Sequence, residues 1–231
     1  LSARPAVEAA RRIADDVAAA CGQVRGRLTI GEISSLTALD LVDLLAEFHV
    51  HYPDVDVRWL TAKSERLVAD VLERRLDVGF IGLWEGEGVQ GVQHRLLARE
   101  ALVAVLPPTH RLAGHGQLTL ADLVQEVQVD FPEGTGARRQ TDEAFQAAGL
   151  QRRVQFEIGH VRLVEKFVQR GMAIGLVPER VAQGFDGVAR VQLLDAPVRH
   201  LYAIWSAHPT PAARAFLALM EQRLGALEHR R

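Results

Sequence analysis

Two short segments, Asp77–Gly82 and Ala101–Leu106, are apolar almost without a break. A strand with one wet face alternates polar and apolar residues, so a strand apolar throughout must be covered on both faces. Neither run approaches the ~20 apolar residues of a membrane span. The cover must therefore come from helices of the same chain, which points to an α/β protein.

The flanking sequence supplies those helices. From Thr37 to Phe48 the positions Leu41, Leu44, Leu45 and Phe48 form an amphipathic stripe, closed by Tyr52-Pro53. Ser64 reads as the N-cap of a helix carrying Leu67, Val68, Val71 and Leu72. Arg27–Ile30 and Val55–Leu60 read as strands. The resulting β-α-β-α-β order calls for a parallel sheet with right-handed crossovers. Trp84–Val92 is a glycine-rich, acidic loop, and Pro107-Pro108 ends the second apolar strand.

The theme then repeats. Val127–Phe131 is a strand, Pro132–Gly136 a turn, Arg138–Ala148 a helix, Val154–Ile158 a strand, Val161–Gln169 a helix and Ala173–Val177 a strand. A strand over Leu201–Trp205 and a helix over Pro211–Leu227 close the chain. Two such blocks predict two Rossmann-like lobes, one over residues 26–104 plus 202–231 and the other over 105–201. A chain that leaves one lobe, builds the second and returns makes a two-segment hinge with a cleft. Ahead of them, residues 5–24 read as one helix. Its seam of Val7, Ala10, Ala14, Val17, Cys21 and Val24 has coiled-coil spacing, making residues 1–25 a linker and dimerisation helix.

Composition narrows the function. The formal net charge is −2, with 24% charged residues evenly mixed, whereas a chain that wraps nucleic acid by itself carries a basic excess or stripe. A single cysteine permits no intrachain disulfide and no Cys-rich zinc site. The opening segment lacks the apolar core of a secretory signal, so the cytoplasm is expected. The absence of an initiator methionine predicts a fragment of a longer protein.

In open α/β sheets ligands bind beyond the carboxyl ends of the strands, where helix starts aim their free N–H groups. Four corners qualify: Ser34-Ser35 at the start of the long helix, Ser64, the Phe131–Gly136 turn with Gly134 and Thr135, and His160 with Arg162. Each has a plainer reading. The serines serve equally well as caps, Gly134 and Gly136 as turn residues, and His160 as a surface histidine. No P-loop lysine follows the glycine turn, so no cofactor is expected. His49 and His51 face different ways, His110 and His115 lack carboxylates at metal spacing, and no Gly-x-Ser-x-Gly elbow occurs. A catalyst is not expected.

The stretch RLTIGEISSLTALDLVDLLAEFHVHYPDVDV, followed in order by LERRLDVGFIG, ALVAVLPPTHRL, LTLADLVQEV and FVQRGMAIGLVP, resembles the effector-binding domain of LysR-type transcriptional regulators. The resemblance covers about residues 26–207. It implies a fold like that of a type II periplasmic binding protein, with a small effector between the lobes. Residues matching the family's pocket are Ser34, Ser35, Ser64, the Phe131–Gly136 loop and His160–Arg162. Residues 1–24 resemble its linker helix, so a homo-oligomer, dimer or tetramer, is implied. DNA would be reached only through a winged helix-turn-helix that this sequence does not contain, and no membrane is involved. Met172-Ala173 stands where a second glycine is usual, Pro5 replaces another, and Val161 and Arg162 replace small polar residues. Only Cys21 is present, so the subfamilies that sense peroxide through paired cysteines do not fit. The main expectation is thus an effector-sensing domain for a small anion; the alternative is a free-standing solute-binding protein of a transporter.

Overall fold

The computed structural model describes residues 23–84 and 88–228. The helix expected over 5–24, and Cys21 with it, falls outside the described residues as far as residue 22. The first block runs β1 (Gly26–Glu32), α1 (Leu41–His51), β2 (Val55–Thr61), α2 (Ser64–Leu72) and β3 (Val78–Trp84). A long strand β4 (Gln93–Leu106) leads into β5 (Gln117–Leu118), a 3-10 turn at Leu120–Leu123 and β6 (Val127–Asp130). Then come α3 (Gly136–Ala147), β7 (Arg153–Glu157), α4 (Val161–Gln169), β8 (Ile174–Pro178), α5 (Glu179–Gln183), β9 (Ala189–Leu193), β10 (Val198–Trp205) and α6 (Pro211–Glu228).

The strands join in the order β2-β1-β3-β10-β4-β8-β6-β7. β1 pairs in parallel with β2 and β3, as the β-α-β reading requires. β10 and β4 depart from an all-parallel sheet, since β10 runs antiparallel to both β3 and β4. The reason is topological: β10 is reached on the way back from the other lobe. β4 belongs to both sheets. Its residues up to Ala101 pair with β10, and from Leu102 onward they pair with β8 and β9.

The two apolar runs are covered on both faces. On β3, Val78 and Phe80 join α1 and α6 in a core built on Phe48, Phe216 and Met220. Ile81 turns the other way, to Leu67 and Val71 of α2. On β4, Leu102, Ala104 and Leu106 face Phe145 of α3, while Val103 and Val105 face Val161, Val164 and Val168 of α4. α4 sits so close to β8 that a Cβ at Gly175 would lie 2.6 Å from Val164 Cγ1.

Two helix starts differ from expectation. α1 begins at Leu41, not Thr37, because the Asp40 carboxylate accepts from the N–H groups of Val42 and Asp43, both at 3.0 Å. Ser34 and Ser35 therefore lie in a turn ahead of the helix. Ser64 is not an N-cap: Lys63 takes that position without a side-chain bond. The Ser64 hydroxyl instead donates to Gly82 O at 3.0 Å and accepts from Gly82 N at 3.2 Å, pinning α2 to β3.

Candidate functional site

Between the lobes lies a cleft of about 310 Å³. α2 enters it from one side and α3 from the other. The two starts approach closely: a Cβ at Gly136 would come within 3.4 Å of Glu65 Oε1. Ile33, Ala62, Trp84, Leu102, Phe131 and Leu176 give the cleft largely apolar walls.

Of the residues singled out from sequence, Ser34, Ser35, Ser64, Phe131, Thr135 and His160 line this cleft. Gly134 and Arg162 do not. Gly134 holds φ at +75°, with open space where a Cβ would be, so it shapes the turn rather than the cleft. Arg162 turns towards the end of α5, where its Nη1 donates to Gly184 O at 2.9 Å.

The polar groups that remain have defined partners. Thr135 caps α3: its Oγ1 accepts from Arg138 N at 3.2 Å and donates to Pro132 O at 2.8 Å. His160 caps α4, with Nδ1 accepting from Arg162 N at 3.1 Å. A neutral His160 ring therefore carries its proton on Nε2. The N–H groups of Gly136 and Ala137, and of Ser64 and Glu65, belong to first turns and have no acceptor within their helices.

Several lining residues were not anticipated from sequence, and three of them are buried polar or charged side chains with a bearing on the site: Arg199, Asp130 and Gln140. Arg199, on β10, is buried and donates from Nη1 to Ser35 Oγ at 2.8 Å and from Nη2 to Ser35 O at 2.6 Å. It also meets Glu100 Oε2 on β4, from Nη2 at 2.8 Å, and Thr37 Oγ1 donates to the other Glu100 oxygen. Burial pulls the Arg199 pKa down, and the Glu100 charge opposes the fall. Asp130 is pushed up by burial, against the opposing pull of Arg152 at 2.7 Å and the Thr141 hydroxyl at 2.7 Å. The third is Gln140, buried on α3. Helical spacing could have found it, since Gly136, Ala137, Gln140 and Thr141 share one face. Nothing local marks Arg199, whose partner Glu100 is 99 residues away.

This arrangement is suited to holding a ligand. No group of three His, Cys, Asp or Glu among the described residues could hold a metal ion. No helix among them is long and apolar enough to cross a membrane.

Comparison with known proteins agrees with this architecture. The family model described as LysR substrate binding domain matches residues 22–225. The HTH-type transcriptional regulator YnfL of Escherichia coli is 28% identical over 218 residues, covering 87% of this chain and 71% of its own length. The matched regions span 59% and 58% of two further curated HTH-type regulators. Among solved structures, HinK, a LysR family transcriptional regulator from Pseudomonas aeruginosa, is 27% identical. It superposes with a TM-score of 0.73, covering 97% of this chain and 79% of HinK. The BenM effector binding domain with its effector benzoate shares the fold at 20% identity and a TM-score of 0.71, covering 89% of this chain and 95% of that one. The chain belongs to the LysR substrate-binding domain family, with the two-lobed fold of a type II periplasmic binding protein.

Proposed function

We propose that this chain is the effector-sensing part of a DNA-binding transcriptional regulator, and that a small anionic molecule is sensed in the inter-lobe cleft. One observation carries the reading: each lobe contributes the start of a helix, α2 or α3, to the same cleft. Orphan N–H groups and the positive end of the helix dipole favour an anion there. A ligand touching both lobes binds best at one closure angle and shifts the population of hinge states towards it.

In the whole protein that shift is carried through the linker segment over residues 1–25 to the DNA-binding domain, in a dimer or tetramer and in the cytoplasm. Ser34, Ser35, Ser64, Phe131, Thr135 and His160 are the proposed contacts. The matched relatives are transcriptional regulators, which favours this reading over a free-standing solute-binding protein and over an enzyme.

A thermal-shift screen of small organic acids against the 231-residue chain tests it. At least one acid is expected to raise the melting temperature of the wild type and to have no effect on Ala137→Trp, whose indole fills the cleft at the start of α3. Acids that stabilise both proteins equally, or none that stabilises the wild type, would overturn the assignment.

A further inference from the structure

Gln140 retains only 6% of its surface and lines the cleft from α3. Its Nε2 is fully shielded, yet no protein group accepts a hydrogen bond from it. A buried amide donor left unmade costs free energy, and such a group in a native protein needs an explanation. Position supplies one. Helical side chains lean back towards the N-terminus of their helix, so the Gln140 carboxamide lies over the turn formed by Gly136 and Ala137. Gln140 thus stands on the same side of the cleft as the N–H groups of that turn. The start of α2, where Lys63 leaves the first turn without a side-chain cap, faces them from the other.

The charges around the cleft are nearly balanced. Arg199 is paired with Glu100 at 2.8 Å, Asp130 with Arg152 at 2.7 Å, and Glu65 with Arg139 at 3.4 Å. Lys63 is the lining cation with no ion pair among the described residues. One uncompensated positive charge, several N–H donors and apolar walls suit a single negative charge on an apolar body. Resting on the reading of the cleft given above, we propose that the ligand is a small monocarboxylate with an apolar body. The Gln140 carboxamide reads one of its carboxylate oxygens, alongside the first-turn N–H groups of α2 and α3. Gln140 then sets specificity: it distinguishes an acid from its uncharged analogue.

The test uses acid and amide pairs on the 231-residue chain: benzoate with benzamide, phenylacetate with phenylacetamide, and isovalerate with isovaleramide, titrated by calorimetry and thermal shift. In the wild type an acid should bind more tightly than its amide. Gln140→Met keeps the volume and removes the donor, so the unliganded protein should melt at the same temperature or higher. Its acid affinity should fall roughly tenfold to a hundredfold, the loss of a hydrogen bond to a charged group. Gln140→Glu should lose the acid while keeping or gaining the amide, because a carboxylate accepts from an N–H donor and repels an anion. A residue with a purely structural role would not reverse that preference. Equal acid binding by the wild type and both variants would overturn the role of Gln140 while leaving the cleft reading intact. Amides binding as well as acids, or none of the acids binding, would overturn the ligand class. The Ala137→Trp screen judges the cleft reading separately.

Discussion

Arg199 on β10 and Glu100 on β4 meet at 2.8 Å at the point where β4 passes from one sheet to the other. Their side chains keep only 7% and 3% of their surface. The same guanidinium holds Ser35 through its hydroxyl and its carbonyl, so the pair fixes the turn that borders the cleft. Removing one partner of a buried pair leaves an uncompensated charge and costs about 3–5 kcal/mol. Arg199→Met is therefore expected to destabilise the protein by that amount in urea unfolding. Arg199→Met combined with Glu100→Met should recover most of the loss. A single variant as stable as the wild type would refute the role given to the pair.

A second ion pair crosses the cleft mouth. Glu65 and Arg139, one from each lobe, stand 3.4 Å apart with about half of each side chain exposed. Exposed pairs contribute only about 0–1 kcal/mol, so the pair bears on geometry more than on stability. Glu65→Lys sets two like charges against each other there. A larger radius of gyration by small-angle scattering is expected at low salt, shrinking towards the wild-type value in ~1 M salt, where the Debye length is ~3 Å. Identical scattering at low salt would show that the mouth is held by other contacts.

The α2 helix carries a titration that can be read directly. The Arg66 guanidinium, bonded to Asp70 at 2.7 Å, holds this carboxyl below its ordinary 3.8; Arg75, also at 2.7 Å, adds to the effect, and burial opposes it. A depressed folded pKa contributes stability above the unfolded value and loses it as pH falls through the folded one. Asp70→Asn should therefore be less stable than the wild type at neutral pH, and the gap should close as pH drops below about 3.8. A gap that persists unchanged at about pH 2 would exclude this account.

At Gly175, α4 packs closely on β8. A methyl group there would stand 2.6 Å from Val164 Cγ1 and 3.3 Å from Val105 Cγ2. Overpacking of this kind costs about 1–3 kcal/mol. Gly175→Ala should lose that much in chemical unfolding, and adding Val164→Ala should restore part of it. No loss in the single variant would mean that α4 moves away from the sheet at little cost.

Where the sequence spoke clearly, the signal was periodicity against a buried sheet. α4 occupies Val161–Gln169, the bounds expected from sequence, and the run Ala101–Leu106 is covered on both faces. Signals that compete at short range misled. Thr37 is a reasonable helix start until Asp40 proves the better acceptor, and Ser64 reads as a cap until its hydroxyl turns to Gly82. β5 and β9 went unread, the first because two residues carry no period, the second because it is a short strand defined by its partners. The cleft follows the same rule. Strand-to-helix corners were legible, whereas Arg199 reaches its place through contacts 99 and 164 residues distant, which no local pattern encodes.

β4 is a 14-residue strand, roughly 48 Å at about 3.4 Å per residue, and it is laddered into both sheets. Such a strand acts as a torsion bar. The chain crosses between the lobes along β4 and returns through the short turn at residues 194–197 that leads into β10, so a change in cleft width is expected to appear as rotation about these two segments. By the function proposed above, an occupant of the cleft would set the angle between the outer face carrying α1 and α6 and the outer face carrying α4 and α5.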